Sequence, residues 1–304
     1  MKFFLNKIVF FLIPIFVFLG SYEILLRSAN MPNIYSFKDK LLDEEYEAIV
    51  LGNSHALRGV LAEDLSYSAI NLANVSQSIN IDLLWLKATL KTQKLKFVIL
   101  NFSVPTYTTN LVKSSEHWRS KNYNLYTRLH LNYNPKYNFE FLNNLQLKNI
   151  KRAGNYVLGN NKSKDNYLEK GSYPLDVYSN DFEEHALKAS QRHLPKVEYI
   201  EQNENVLMEI LTLSKTYNFD VVIVTPPAHA SYRRLIPHEI KSNMFSLLKN
   251  IESKNNNVYW LNYFDNVSFD SKCFKDSDHL NFKGAKLFTN KINNFLINSN
   301  TFTN

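Results

Sequence analysis

Cysteine is almost missing: Cys273 stands alone in 304 residues. An intrachain disulfide and a multi-cysteine metal site are therefore excluded, while the redox compartment stays open. Glycine is also scarce, at 7, beside an abundance of Asn, Lys, Tyr and Phe. That imbalance reads as a nucleotide bias of the coding genome, with little functional content. The formal charge of +7 raises the question of nucleic acid. Yet there is no Arg-rich helix, no RNP-type aromatic motif and no zinc-ligand spacing, and the lysines are scattered singly among Asn and Tyr. A solvated surface, or one facing anionic lipid or acidic polymer, accounts for such a charge, and no nucleic-acid partner is expected. Internal repeats are lacking too. What is present is globular composition, 45% hydrophobic and 21% charged, enough to bury a core and to exclude wholesale disorder.

One long apolar run exists, from Phe3 to Leu26, broken only by Lys7 and Glu23. About 20 residues suffice for a helix to cross a hydrocarbon core of about 30 Å. Phe3–Leu26 meets that length if Lys7 snorkels to one interface and Glu23 sits at the other. Lys2 and Lys7 precede the run, so the positive-inside rule puts the N-terminus in the cytoplasm and the remainder outside. A cleaved signal peptide shares these features, but no A-x-A-like site follows. A buried core helix is the third reading, disfavoured because the Phe/Ile/Val/Leu surface would need cover on all sides. No later segment approaches membrane length, so the expected organisation is an anchor over 1–27, a linker over 28–47 and a soluble domain over 48–304.

That domain begins with AIVLGNSHALRG (48–59), a short apolar strand run passing through glycine and small polar residues into a helix. SAINLANVSQSIN (68–80) repeats the pattern and leads into LLWLKATLK (83–91), apolar at helical spacing; KFVILNFSVP (96–105) supplies a third strand. Residues 106–200 lose the rhythm and read as an insertion of helices and loops. It resumes with a helix near Glu204–Tyr217, the strand in FDVVIVTPPAH (219–229), a helix at Pro237–Lys254, the strand in NVYWLNY (257–263), and a C-terminal amphipathic helix. Strand and helix alternation predicts an α/β fold with a parallel sheet between helical layers.

In open parallel sheets, ligands bind beyond the carboxyl ends of the strands. Three polar clusters fall there: Gly52–His55, Asn71–Ser78, and Asp276-Ser277-Asp278-His279. A lone serine after a glycine is an ordinary turn or N-cap, and a lone DxxH is commonly surface polarity. Together they place a nucleophile after the first strand, and a histidine with an aspartate three residues before it after the last. A serine needs an imidazole to take its proton, and the imidazole needs orienting.

The blocks AIVLGNSHALRG and DSDHLNFKGAKLFT, with INLANVSQS between them, resemble the SGNH (GDSL-like) hydrolase superfamily. The likeness is strongest to its membrane-anchored branch, which includes proteins similar to the alginate O-acetylation and teichoic-acid D-alanylation accessory proteins. The resemblance implies a three-layer, flavodoxin-like sheet and a triad of Ser54, His279 and Asp276. It also implies an oxyanion hole built from the Ser54 N–H, one N–H of the Ser76/Gln77 turn, and Asn101. No metal or other cofactor is implied. The sequence departs from the pattern in three places: Asn53 replaces the first-block aspartate, the second block lacks its glycine, and LNFSVP replaces Gly-x-Asn-Asp.

Asp276 is favoured over Asp278 as the orienting acid, because three residues let the chain curl back to the ring. His55 could touch substrate or cap the helix; Arg58 could bind an anion or pair with Glu63; His229, after another strand, could line the pocket. The functional expectation is an extracytoplasmic serine esterase or O-acyltransferase acting on a cell-envelope glycan or related polymer. The resemblance adds a multi-pass membrane acyltransferase as a partner. The rival reading is a degenerate domain that binds glycan or scaffolds an envelope complex.

Overall fold

A computed structural model describes residues 2–30, 33–131, 134–142, 146–160, 167–176, 181–194 and 197–299. In chain order its elements are α1 (Lys2–Ser28), α2 (Ile34–Leu41), β1 (Ala48–Leu51), α3 (Ser54–Gly59), β2 (Ala69–Asn71), α4 (Ile79–Thr89), β3 (Phe97–Asn101), α5 (Val104–Thr108), α6 (Ser120–Tyr126), α7 (Gln146–Val157), α8 (Phe182–His193), α9 (Val197–Tyr217), β4 (Asp220–Thr225), α10 (Ala230–Leu235), α11 (His238–Lys254), β5 (Val258–Asn262) and α12 (Phe282–Asn298). The segment expected to be a plain linker, 28–47, thus contains the helix α2. Two compact units divide the chain: Met1–Asp39 with Ser115–Asp165, and Lys40–Ser114 with Asn166–Asn304.

The larger unit holds one five-stranded sheet in the order β2-β1-β3-β4-β5, every pairing parallel. This is the flavodoxin-like order, whose direction of winding reverses between β1 and β3. The strands form as continuous apolar runs because a parallel sheet is covered on both faces. Alternation divides each run. Ala48, Val50, Phe97, Ile99, Val222 and Val224 join a core with Ala56 and Leu57 of α3 and Phe288, Ile292 and Leu296 of α12. Ile49, Leu51, Val98, Leu100, Val221 and Ile223 are buried equally, and their side chains point to the other face. Each strand, three to six residues long, ends in Asn, Thr or a Leu-Gly step, which delivers polar groups to one edge.

The smaller unit is organised around the last turns of α1. Glu23, 8% exposed, accepts the backbone N–H groups of Glu140 at 2.9 Å and Phe141 at 3.2 Å, besides Arg27 Nε at 2.7 Å. Glu140 is fully buried and accepts Lys121 Nζ at 2.7 Å, Tyr126 Oη and Arg152 Nη2 at 3.0 Å. Burial works against both charges: it lowers the Lys121 pKa, with Glu140 opposing. For Glu140 the upward push of burial is outweighed by Lys121, Tyr126 and Arg152, leaving the carboxyl below its usual range. The helix window Asn6–Ser28 is long and apolar enough to cross a membrane, and almost none of it is buried.

Candidate active site

The turn after β1 is built for close approach. Gly52 has φ +139, and a Cβ there would lie 2.6 Å from Asn101 Cβ and 3.1 Å from its Nδ2. Only glycine fits both the conformation and the space. Asn53 then caps α3, its Oδ1 accepting the His55 N–H at 3.0 Å. Ser54 becomes the first residue of that helix, half-buried, with an N–H that has no intrahelical acceptor.

The last loop is equally constrained. Asp276 Oδ1 accepts the backbone N–H of Asp278 at 3.2 Å and of His279 at 2.9 Å, folding the four residues into a tight curl. The same oxygen accepts His279 Nδ1–H at 2.8 Å. Asn281 closes the loop, donating to the carbonyls of Lys272 and Phe274 and capping α12 through the Gly284 N–H. Gly284 is required there, since a Cβ would fall 2.0 Å from the Cys273 carbonyl oxygen.

These two loops meet. Ser54 Oγ lies 2.8 Å from His279 Nε2, across 225 residues of sequence. With Asp276 holding the Nδ1 proton, Nε2 carries the lone pair and Ser54 Oγ–H donates to it. Burial alone would raise Asp276, but the hydrogen bond and charge of His279 outweigh it and hold the carboxyl at about 2. Lys275 Nζ, 3.2 Å from its second oxygen, adds to that.

Asp278 takes a different place. It is buried, and its Oδ2 lies 3.2 Å from His55 Nε2 but 3.6 Å from His279 Nδ1, beyond hydrogen-bond reach. Burial opposes its charge, yet His279 and His55 keep it well below the usual carboxylate range. His55 stands edge-on to His279 with ring centroids 5.1 Å apart, and burial lowers its pKa against the pull of Asp278. His193, from α8, completes the wall: its ring is 6.2 Å from that of His55, and its Nδ1 meets Tyr232 Oη at 2.7 Å. Burial drives His193 down to about 3, a neutral imidazole at any ordinary pH. Nothing in the sequence marked His193, because it reaches the site from the irregular middle segment.

The remaining expected residues are placed as follows. Ser76 adopts φ +57, the left-handed turn position that glycine would ordinarily occupy. Gln77 commits its backbone N–H to the Asn74 carbonyl at 3.2 Å and its amide to Asp82 at 2.6 Å and Leu72 O at 3.3 Å. Asp82 thereby braces the turn that carries Ser54. Burial pushes its carboxyl up to about 7, while Gln77 and the Gly52 N–H pull the other way. Asn101 turns inward: its Nδ2 donates to Asn53 Oδ1 at 3.0 Å and toward Ser103 and Thr106, so its amide supports the cap instead of facing an oxyanion. Asn74 lies beside the turn: its N–H binds Gly52 O at 3.1 Å, its Oδ1 accepts the Val75 N–H at 2.9 Å, and its Nδ2 has no described acceptor.

Arg58 lies in the last turn of α3, half-buried, while Glu63 accepts the Lys170 N–H at 2.8 Å. His229 caps α10, contacts Ser231 at 2.8 Å and Ser271 at 3.0 Å, and stacks on Phe182 with centroids 4.2 Å apart. Its ring is thus occupied with loop structure and not directed at Ser54. Donor atoms of His55, Asp278 and His279 lie within 4.8 Å of one another and could hold a cation. Such an ion would compete with the bonds His279 makes to Asp276 and Ser54. A cavity of about 660 Å³ opens elsewhere, between Glu47, Lys96, Asp220 and Asn257 at the amino ends of β1, β3 and β4, away from this chemistry.

The chain matches no protein-family model and no curated protein. Among the solved structures that resemble it distantly are two with provisional names. One bears the provisional name platelet activating factor, from Streptococcus pneumonia, with 10% identity and a TM-score of 0.45 over 95% of this chain and 99% of that one. The other is a provisionally named acylhydrolase from Bacteroides fragilis, with 13% identity and a TM-score of 0.44 over 88% and 96%. Likeness at this level identifies no activity.

Proposed function

We propose that the chain is a membrane-anchored, extracytoplasmic serine esterase or O-acyltransferase of the SGNH type. One observation carries the reading: Ser54, His279 and Asp276 are joined by two 2.8 Å hydrogen bonds beyond the carboxyl ends of the strands. Ser54 Oγ attacks an ester carbonyl as His279 Nε2 takes its proton, and Asp276 fixes the tautomer and supports the imidazolium. The tetrahedral oxyanion meets the Ser54 N–H, with Asn74 Nδ2 as the side-chain donor in place of Asn101. His279 then protonates the leaving alkoxide, giving an acyl-Ser54 that a sugar hydroxyl or water resolves. The sequence resemblance and the apolar α1 support an envelope glycan or related polymer as acceptor. They also support a multi-pass membrane acyltransferase as acyl source.

The test is labelling of the full chain by a fluorophosphonate, comparing the wild type with Ser54→Ala. Labelling lost in the variant supports the reading. A folded wild type that resists labelling speaks for a binding or scaffolding role.

A further inference from the structure

The smaller unit leaves one amphipathic surface uncovered. On α7, Leu147, Ile150 and Val157, with Leu158 just beyond, are between 59% and 81% exposed, whereas Asn149 and Ala153 on the adjoining side are buried. The four apolar side chains recur at helical spacing, and the exposed Lys148 and Lys151 stand beside them.

The pose of this helix is tied to α1. Arg152 of α7 donates to Glu140, and the Glu140 N–H donates to Glu23 of α1. Phe139 and Leu142, 42% and 51% exposed, flank the two backbone groups that bind Glu23. If α1 crosses a bilayer from Phe3, about 20 residues at about 1.5 Å each bring Glu23 to the far edge of the hydrocarbon. Groups hydrogen-bonded to Glu23 then lie at headgroup depth.

We propose that α7 lies in the outer headgroup region of the membrane that α1 spans. Leu147, Ile150, Val157 and Leu158 enter the acyl boundary, and Lys148 and Lys151 meet lipid phosphates. Phe139 and Leu142 extend the same contact. The inference rests on the anchor reading of α1. Lipid fits the stripe because α7 packs against α1 itself and the stripe is edged by cations, as in helices that lie flat in an interface. The consequence is a collar: residues 115–165 fix the rotation and tilt of the anchor instead of leaving it a free tether.

The test uses the full chain with Cys273→Ser, so that a single engineered cysteine carries an environment-sensitive dye. The labelled chain is reconstituted in phosphatidylcholine vesicles containing phosphatidylglycerol. Dye at Leu147→Cys, Ile150→Cys or Val157→Cys is expected to emit blue-shifted. A shallow spin-labelled lipid should quench it at least about threefold more than dye at the exposed Asn155→Cys. Dye at Phe16→Cys, within α1, should be quenched by a deeply labelled lipid. Water-like emission at 147, 150 and 157 with Phe16 quenched overturns the collar and leaves the anchor. Loss of quenching at Phe16 overturns the anchor itself. A blue shift that vanishes as protein is diluted with lipid assigns the stripe to a second copy and also overturns the proposal.

Discussion

Asp276 and Asp278 sit one residue apart and both carry charge beside the same imidazole, so exchanging each for asparagine separates two roles. In Asp276→Asn the amide can donate to His279 Nδ1, which forces the proton onto Nε2 and deprives Ser54 of its acceptor. The 2.8 Å bond is thus replaced by one of the wrong polarity. In triads this change costs roughly 10³–10⁴ in rate, about 4–5.5 kcal/mol. Asp278 makes no hydrogen bond to that ring, at 3.6 Å. Its removal weakens only the field that favours the imidazolium and frees His55, for a loss of about 10- to 100-fold. Fluorophosphonate labelling rates measure both without knowledge of the substrate, provided each variant keeps the wild-type melting transition. The expected signature is Asp276→Asn slower than Asp278→Asn by at least about 10-fold. Equal losses, or the reverse order, would refute the assignment of Asp276.

Three further outcomes follow from the packing. Gly52→Ala should destabilise the larger unit by more than about 2 kcal/mol in urea unfolding, since it adds a clash with Asn101 to a disfavoured φ; a smaller shift would mean the turn relaxes freely. Two of the perturbed carboxylates, Asp82 and Asp276, bend stability with pH in opposite senses. Asp82, raised to about 7, contributes stability below the unfolded value of about 4 that is lost as pH rises through about 7. Asp276, held at about 2, contributes stability above about 4 that is lost as pH falls toward 2. Asp82→Asn should therefore flatten the decline between pH 4 and 7, and an unaltered slope counts against the buried carboxyl. Glu140→Gln leaves Lys121 buried without its counter-charge, a loss of about 3–5 kcal/mol. Protease should then cut faster within residues 115–165, and unchanged resistance would show that the network is dispensable.

Much of this is legible in the sequence alone. AIVL, FVIL and DVVIVT could hardly be anything but strands covered on both faces, and their polar ends marked the ligand edge. The contact between Ser54 and His279 followed from placement along the chain, and the choice of Asp276 from the room a four-residue curl needs. What could not be seen is direction. Asn101 as oxyanion donor and Asn101 as cap support are the same letter, and only the approach of Gly52 decides that its amide turns inward. His193 lies in a stretch without periodicity, so its contacts arise from tertiary packing alone. The Glu140 network hides for a related reason: Lys121 and Glu140, 19 positions apart in an Asn- and Lys-rich region, look like ordinary solvated charges.

His279 and Asp276 come from one short curl, and the following α12 is held in place by its Thr289 hydroxyl, which accepts the Leu61 N–H at 2.9 Å. Ser54 emerges early in synthesis, whereas its activator emerges more than two hundred residues later. A nascent chain therefore carries an inert hydroxyl throughout elongation. If Ser54 is the nucleophile proposed above, reactivity switches on only when α12 docks, and a truncated product carries no activated hydroxyl.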